Sequence, residues 1–282
     1  MTGIDIGNVT LGLALSAAVG YAGYRRGALS RGGWLGAILV GTLMFGFGGW
    51  IAGLLLITFF VSSSLLSHYR QRDKGIAAEK FAKGGQRDLG QALANGGIGA
   101  LLAVGHGLWP HPLWFAGILG ALATVNADTW STELGVLSKV RPRLITTGRP
   151  VEPGTSGGVT WRGTWAGVAG GLLIGLTGAL LGQVERWSGG RGFDIWSALV
   201  WAALGAVAGV AGSAFDSLLG ATVQGIYRCD VCAKETEALV HRCGQPTRHL
   251  RGWIWLDNDV VNFLASSVGA ALSVVLFLAL GG

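Results

Sequence analysis

The chain has 282 residues, of which 50% are hydrophobic and only 13% are charged, and its formal net charge is +6. This composition is too apolar for an ordinary soluble domain and indicates an integral membrane protein. The fifty glycines lie within apolar runs, which favours close packing of membrane helices over disorder. The positive charge is explained by membrane topology and by contact with anionic lipid headgroups, so nucleic-acid binding is not expected.

Apolar segments long enough to cross a bilayer recur eight times along the chain. They fall at 6–24, 33–48, 50–66, 89–106, 112–135, 161–183, 196–223 and 259–280. The second and third are separated only by Gly48-Gly49-Trp50, so they form either a tight hairpin or one bent helix, and the total lies between seven and nine. The N-terminus has no basic region ahead of its apolar stretch, so we expect the first helix to be retained. The sequence predicts an all-α, polytopic membrane bundle of about eight helices, with residues 1–282 as a single membrane domain.

The basic residues favour eight helices over seven. If the second and third helices are separate, the segments 25–32, 67–88, 136–162 and 224–258 emerge on one face and carry all of the 21 Lys and Arg residues except Arg186 and Arg191. Positively charged loops are typical of the cytoplasmic side. The larger loops, near 67–88, 136–160 and 224–258, are therefore predicted to be cytoplasmic and both termini non-cytoplasmic. In a bacterium this would be the cell membrane.

Asp128 and Glu133 are acidic residues within an otherwise apolar helix. Ionised side chains at membrane depth are costly and usually mark a functional cavity. In a continuous helix the two would lie about 140° apart, and a break or kink would bring them together. Carboxylate oxygens beside a phosphate suit Mg²⁺, whereas the simpler interpretation is a hydrogen-bond network between helices.

The loop from Leu144 to Thr160, LITTGRPVEPGTSGGVT, is rich in glycines and hydroxyls and leads into a helix. Backbone N–H groups and a helix N-terminus stabilise phosphoryl oxygens, although a plain glycine-rich turn would look similar. The loop matches neither a Walker A nor a Rossmann glycine pattern. Its candidate phosphate-binding residues, with the cations before it, are Lys139, Arg143, Thr146, Thr147, Arg149, Gly154, Thr155, Ser156, Gly157 and Gly158.

Further polar residues lie at the same predicted membrane face. Asp216 is a second buried acid in an apolar helix. Asp257, Asn258, Asp259 and Asn262 open the last helix, where capping explains one of the four. Asn95 follows the basic loop 67–88, for which a solvated surface is the simpler interpretation, and it is a candidate phosphate ligand together with Asn258 and Asn262.

A cluster of metal-ligand types lies in the last large loop. Cys229-x2-Cys232-x8-His241-x-Cys243 has the donors of a tetrahedral zinc site, although the His-x-Cys spacing is unusual. Three cysteines cannot form an evenly paired disulfide framework. A structural Zn²⁺, reduced thiols and one disulfide pair all stay open.

Three motifs occur together and in order: 126-NADTWSTELG-135, 144-LITTGR-149 with 153-PGTSGGVT-160, and 216-DSLLGATVQ-224. Over residues 67–262 this pattern resembles the phytyl-phosphate kinase family of plants and cyanobacteria, also represented by transmembrane protein 19. The resemblance implies a multi-pass enzyme that phosphorylates an isoprenoid monophosphate to the diphosphate, distantly similar to CTP-using prenol kinases. It implies that Asp128 and Glu133 hold Mg²⁺, that Thr146 to Gly158 hold phosphates, and that Asp216 with Asn258 and Asn262 completes the pocket. Asp128, Glu133 and Asp216 are together the candidate catalytic residues and Mg²⁺ ligands.

The residues and the resemblance together favour a membrane phosphotransferase. Its expected partners are a nucleoside triphosphate, with CTP preferred, a prenyl-phosphate lipid, membrane lipids and a second copy of the chain. A transporter or flippase of lipid phosphates is the alternative, and it would place functional polar groups on both faces. A non-catalytic membrane protein is the third hypothesis.

Overall fold

The computed structural model describes residues 6–74, 80 and 85–281. Within these ranges the chain forms seven long α-helices and five short strands. The helices are α1 (Ile6–Arg25), α2 (Arg31–His68), α3 (Leu89–Leu108), α4 (Pro112–Gly135), α5 (Trp161–Ser188), α6 (Ile195–Thr222) and α7 (Asn258–Ala279). The strands are β1 (Arg143–Leu144), β2 (Gly158–Val159), β3 (Ile226–Cys229), β4 (Lys234–Thr236) and β5 (Arg248–Arg251).

Helix α2 is a hairpin of two helices that reverses at Gly49. This residue has φ +78° and ψ 178°, a backbone conformation open to glycine but not to most residues. A side chain at Gly41 would lie 3.8 Å from Leu56, whereas 15 residues of straight helix would separate them by about 22 Å. The described ranges therefore contain eight long helical segments, which is the number of membrane helices that the sequence predicts.

Length and composition make α1, α2, α5, α6 and α7 candidate membrane spans. Helices α3 and α4 contain 20 and 24 residues, enough for about 30 Å or more at 1.5 Å per residue. Large apolar side chains face outward where lipid would surround the bundle, among them Leu11, Leu35, Leu101, Leu176, Leu180 and Val275. Both the hydropathy and the exposed apolar surface therefore indicate an integral membrane protein.

Helix α4 is the centre of the bundle. It packs against both α2 and α3 on one side and against α5, α6 and α7 on the other. Every residue from Ala116 to Ala127 is buried. Small residues permit this crowding, since a side chain at Gly120 would meet the backbone of Gly269 on α7 at 2.5 Å. The acidic residues of α4 follow directly after this buried stretch.

The described parts of the connections that follow α1, α2, α4 and α6 lie at one end of the bundle, which we call the basic end. Two small antiparallel sheets form there, β1–β2 and β4–β3–β5. The sequence predicts loops in both places, because strands of two to four residues have no recognisable alternation. Helix α5 begins beside β2, with the Thr160 side chain accepting a hydrogen bond from the Gly163 N–H. Asp257 caps α7 in the same way through Val260 N–H.

Candidate functional site

Two acidic residues on neighbouring helices meet near the basic end. The Ser213 hydroxyl of α6 donates to Asp128 Oδ1 of α4 at 3.1 Å. Asp216 lies one turn further along α6, close enough for the charge of Asp128 to act on it. The buried interface of α4 and α6 therefore brings together two of the three carboxylates predicted from the sequence.

The Asp216 carboxylate is incompletely satisfied. Its Oδ2 atom is buried and has no hydrogen-bond partner among the described residues. Two buried donors in the same part of the molecule, Trp130 Nε1 and Gln224 Nε2, also lack partners there. Buried polar groups are nearly always bonded, so unpaired atoms of this kind indicate a bound ion, water or ligand.

A third carboxylate comes from the segment that follows β4. The charge of Glu237 acts on both Asp128 and Asp216, and its Oε1 accepts a hydrogen bond from the Ser156 hydroxyl at 2.6 Å. Three carboxylates around one region repel each other unless a cation neutralises them. Oxygen donors of this type are those that Mg²⁺ prefers.

The glycine- and hydroxyl-rich loop lies against the end of α6 that carries Asp216. Ile145 N–H donates to Gly157 O at 2.9 Å, and β1 pairs with β2, so the loop is folded on itself. Gly157 has φ +79°, and a Cβ atom there would lie 2.5 Å from Ala221. Only glycine allows the loop to approach α6 so closely.

Some hydrogen-bonding groups of the loop 144–160 have partners in the protein and others do not. Thr155 Oγ1 accepts from Lys80 Nζ at 3.0 Å, and Ser156 bonds Glu237. Within the described ranges, the backbone N–H groups of Gly154, Ser156 and Gly157 have no hydrogen-bond partner. Successive unpaired N–H groups are suited to an anion.

Lys80 joins the loop to the Glu237 segment. Its ammonium also donates to Glu152 Oε2 at 2.9 Å, and this hydrogen bond lowers the pKa of Glu152. Its carbonyl accepts from the Glu237 N–H at 2.9 Å and from the Thr236 hydroxyl. Lys80 is buried, so these contacts fix both segments next to the carboxylates.

Glu133 does not join this cluster. Its Oε1 accepts from the Ser67 hydroxyl and its Oε2 from Lys74 Nζ, each at 2.6 Å. Helix α4 is continuous between Asp128 and Glu133, so the two keep the separation of about 140° that a helix imposes. The kink that would unite them is absent, and the partner of Asp128 is Asp216 on another helix.

Asn126 holds α4 between its neighbours. Its side-chain amide donates to Gly170 O on α5 at 2.7 Å, and its Oδ1 accepts from Ser62 on α2. It is fully buried. The first residue of the motif that begins at Asn126 thus has a structural role.

An apolar cavity of about 70 Å³ lies between α1, both arms of the α2 hairpin and α3. Helices α1, α2 and α3 form its walls, including Val19, Val40, Phe45 and Ile57, with Gln91 and Asn95 as polar residues on α3. Arg87 lines it as well. The sequence predicts Asn95 as a phosphate ligand, and the structure places it in this wall.

Arg87 lies between the cavity and the acidic helix α4. Its guanidinium donates to Ser63 and Ser64 and lies 5.7 Å from the centre of the Phe59 ring. Burial lowers the pKa of Arg87, while the charge of Glu133 opposes this effect. Arginine stays protonated in proteins, so the cavity has a fixed positive charge in its wall.

The remaining predicted phosphate ligands are distributed around the basic end. Lys139, Arg143, Thr146, Thr147 and Arg149 are solvent-exposed. Arg143 is engaged locally, since its guanidinium donates to Gly148 O at 2.8 Å. Asn262 donates to Asn258 O within the first turn of α7, so these two serve the helix end. Of the predicted residues, Asp128, Asp216, Ser156 and Gly157 are those brought together.

The structure also assembles the Cys and His cluster. One ligand atom from each of Cys229, Cys232, His241 and Cys243 lies within 4.8 Å of all the others. The hydrogen bond to His241 lowers the pKa of Cys243 to about 6, and hydrogen bonding with Cys243 raises that of Cys232 to about 11. The three cysteines are free thiols.

Glu237, Lys80 and Ser213 were missed by the sequence interpretation. Glu237 and Lys80 lie in polar loops, where an acid or a lysine is ordinary, and only the folded contacts show their role. Ser213 carried a weak signal, because it lies three residues before Asp216 and therefore on the same face of α6.

The comparisons with known proteins identify the family. The model of an integral membrane protein family, DUF92, matches residues 14–270. The chain belongs to this family. Protein PGR of Arabidopsis thaliana is 36% identical over 269 residues, which cover 89% of this chain and 90% of that protein. An uncharacterized membrane protein of Methanocaldococcus jannaschii is 33% identical, with 88% and 86% covered.

A further relative connects the chain with the resemblance read from its motifs. The chloroplastic protein VTE6 of Arabidopsis thaliana is 26% identical over 253 residues, which cover 88% of this chain and 65% of that protein. The family predicted from the motifs, that of the phytyl-phosphate kinases, is thereby confirmed. No solved structure matches the chain.

Proposed function

We propose that this protein is a membrane-embedded phosphotransferase that phosphorylates a prenyl monophosphate to the diphosphate with a nucleoside triphosphate, for which CTP is the expected donor. The observation that carries the proposal is the convergence of Asp128, Asp216 and Glu237 beside the loop 144–160 at the basic end. Carboxylates for a cation and backbone donors for an anion are what phosphoryl transfer requires.

Mg²⁺ would be held by Asp128, Asp216 and Glu237. The buried, unpartnered Oδ2 of Asp216 fits a metal ligand, and the mutual repulsion of the carboxylates would be relieved. When bound, Mg²⁺ neutralises charge on the transferring phosphoryl group. Glu133 is not included in this set, because Ser67 and Lys74 already occupy both of its oxygens.

The nucleotide phosphates would lie on the loop 144–160. The N–H groups of Gly154, Ser156 and Gly157 are available as donors, and the exposed cations Lys139 and Arg149 lie at the same end of the bundle. Fixed donors position the γ-phosphoryl group without covalent chemistry. This arrangement favours in-line attack by the lipid phosphate.

The lipid would approach from the cavity between α1, α2 and α3. The cavity has a volume of about 70 Å³, so its apolar walls suit the first carbons of the prenyl chain while the rest lies in the surrounding lipid, and Arg87 with Gln91 suits the phosphate of the prenyl lipid. An oxygen of this phosphate attacks the γ-phosphorus, and the new O–P bond forms as the bond to the β–γ bridging oxygen breaks. The nucleoside diphosphate leaves with that electron pair.

An activity screen of the purified full-length protein tests the proposal. We expect transfer of labelled γ-phosphate from CTP, or from ATP, GTP or UTP, to phytyl, geranylgeranyl or longer prenyl monophosphates, and only with Mg²⁺. The matched control is Asp194→Asn, because Asp194 caps α6 at the opposite end and asparagine caps equally well. Absence of transfer with every pair of substrates, or full activity of Asp128→Asn, would contradict the proposal.

A further inference from the structure

We propose that Cys229, Cys232, His241 and Cys243 bind one structural Zn²⁺, and that this ion fixes the segment carrying Glu237 against the loop 144–160. The zinc site stands by itself, whereas the positioning of Glu237 for catalysis rests on the function proposed above.

The donor atoms have the arrangement of a tetrahedral site. Cys229 Sγ and Cys243 Sγ are 3.7 Å apart, and His241 Nδ1 lies 3.1 Å from Cys243 Sγ. Two thiolates bound to one zinc at about 2.3 Å each lie about 3.8 Å apart in tetrahedral geometry. Three sulfurs and one imidazole nitrogen make a complete set for structural zinc.

Two tight turns present the four ligands. In the first, the Cys232 N–H donates to Cys229 Sγ at 3.5 Å, and Ala233 follows with φ +53°. A non-glycine residue in this region is strained and persists where its surroundings hold it. In the second turn, the Cys243 backbone nitrogen lies 3.4 Å from His241 Nδ1, and Gly244 has φ +83°.

The segment around the two turns is held by hydrogen bonds and has no apolar core of its own. Its large apolar side chains Val231, Leu239 and Val240 are between 59% and 74% exposed, so they contribute no core. Cys229 and His241 are the buried residues of the two turns. Small units without a core depend on a metal or disulfides.

The two turns enclose the segment that reaches the carboxylate cluster. Thr236 and Glu237 lie between Cys232 and His241, and both bond the carbonyl of Lys80. Glu237 also accepts from Ser156. A metal that ties both ends of this segment limits where the Glu237 carboxylate can be, which is a positioning role and not a catalytic one.

Metal analysis of the full chain, purified in detergent under reducing conditions, is the direct test. We expect about one zinc per chain, which exchanges for Co²⁺ with the visible absorption of tetrahedral cobalt thiolate. Cys232→Ser should lose the metal and His241→Cys should keep it, since four cysteines also bind zinc. Asp216→Asn, at the carboxylate cluster, should keep it. A folded, monodisperse wild-type protein without zinc overturns the site.

The positioning role is tested by a separate measurement, the dependence of activity on Mg²⁺ concentration. Glu237→Gln should keep zinc and raise the Mg²⁺ concentration for half-maximal activity by about tenfold. Cys232→Ser should raise it similarly, and the double variant should raise it no further. His241→Cys should restore wild-type dependence on Mg²⁺. If the effects of Glu237→Gln and Cys232→Ser on this Mg²⁺ concentration add in the double variant, the positioning role is overturned. If the protein contains zinc but transfers no phosphate, the proposed function is overturned and the zinc site is not.

Discussion

Asp128 of α4 lies close enough to Asp216 of α6 for its charge to act on that carboxyl group, and Ser213, one turn before Asp216, donates its hydroxyl to Asp128. Neither acid is explained by folding, because two carboxylates in a buried interface destabilise it. Residues that lower the stability of the fold are expected to serve function. Substituting them should therefore raise stability while lowering activity.

Asp216→Asn should therefore abolish activity and stabilise the fold. Asparagine removes one of two repelling charges, so the thermal unfolding midpoint should rise by about 2–4 °C for about 1 kcal/mol. Phosphotransfer should fall by about a hundredfold or more, as a metal ligand is lost. Activity and thermal unfolding are measured on the same preparation, with Asp194→Asn unchanged in both. Loss of activity together with a lower midpoint would indicate misfolding instead.

Gly157→Ala should separate the loop 144–160 from α6. A methyl group at this position would lie 2.5 Å from Ala221, in a backbone region that alanine also disfavours. We expect KM for the nucleotide to rise by about tenfold, or more, because the phosphate donors move. Gly148→Ala is the matched control, since Gly148 also has positive φ but nothing lies within 4 Å. Equal effects of the two substitutions would refute the close approach.

Lys74→Met should destabilise the protein without touching the site. It leaves Glu133 without its cation, and we expect a loss of about 2 kcal/mol. This is below the roughly 3–5 kcal/mol of a fully buried pair, because the Glu133 side chain is still 22% exposed. The double variant Lys74→Met/Glu133→Gln should be more stable than Lys74→Met, as shown by thermal unfolding.

A comparison of Glu133→Gln with Asp128→Asn decides whether Glu133 binds the metal. Glu133→Gln should retain most activity and an unchanged Mg²⁺ requirement, in contrast to Asp128→Asn. If the two variants instead lose activity to the same extent, Glu133 contributes to metal binding although it lies apart from the carboxylate cluster. The set of Mg²⁺ ligands implied by the resemblance to the kinase family, which includes Glu133, would then be correct.

Ile57→Trp should weaken binding of the prenyl monophosphate. Ile57 lines the apolar cavity, whose volume is about 70 Å³, so the larger side chain fills the space available to the first carbons of the prenyl chain. KM for geranyl phosphate and for geranylgeranyl phosphate should both rise by about tenfold, while KM for the nucleotide stays close to the wild-type value. Leu35→Trp, on the exposed surface of the same hairpin, should leave all three values unchanged. Unchanged KM values for both lipids in Ile57→Trp would exclude the cavity.

The sequence is sufficient for the membrane crossings but not for the site. Hydropathy and the basic loops predict eight crossings, and Gly48-Gly49 marks the reversal, because these are local properties. Asp128 and Asp216 are recognisable as acids in apolar helices. Their meeting depends on packing, as the bonds from Ser213 to Asp128 and from Ser156 to Glu237 join residues 85 and 81 positions apart. Helical geometry indicates that Asp128 and Glu133 diverge, and only the structure supplies their separate partners.

Because the chain reverses at Gly49 within the hairpin, the connections between helices at the end opposite the carboxylates are all short in the described part of the chain. There the chain turns within the hairpin itself, at the short connection before Pro112, and between Ser188 and Ile195. A protease or an impermeant label applied from that side would find few accessible bonds, whereas the other side offers every long connection. Intact and inside-out vesicles should therefore differ sharply in cleavage, which gives the orientation of the protein without any assay of its chemistry.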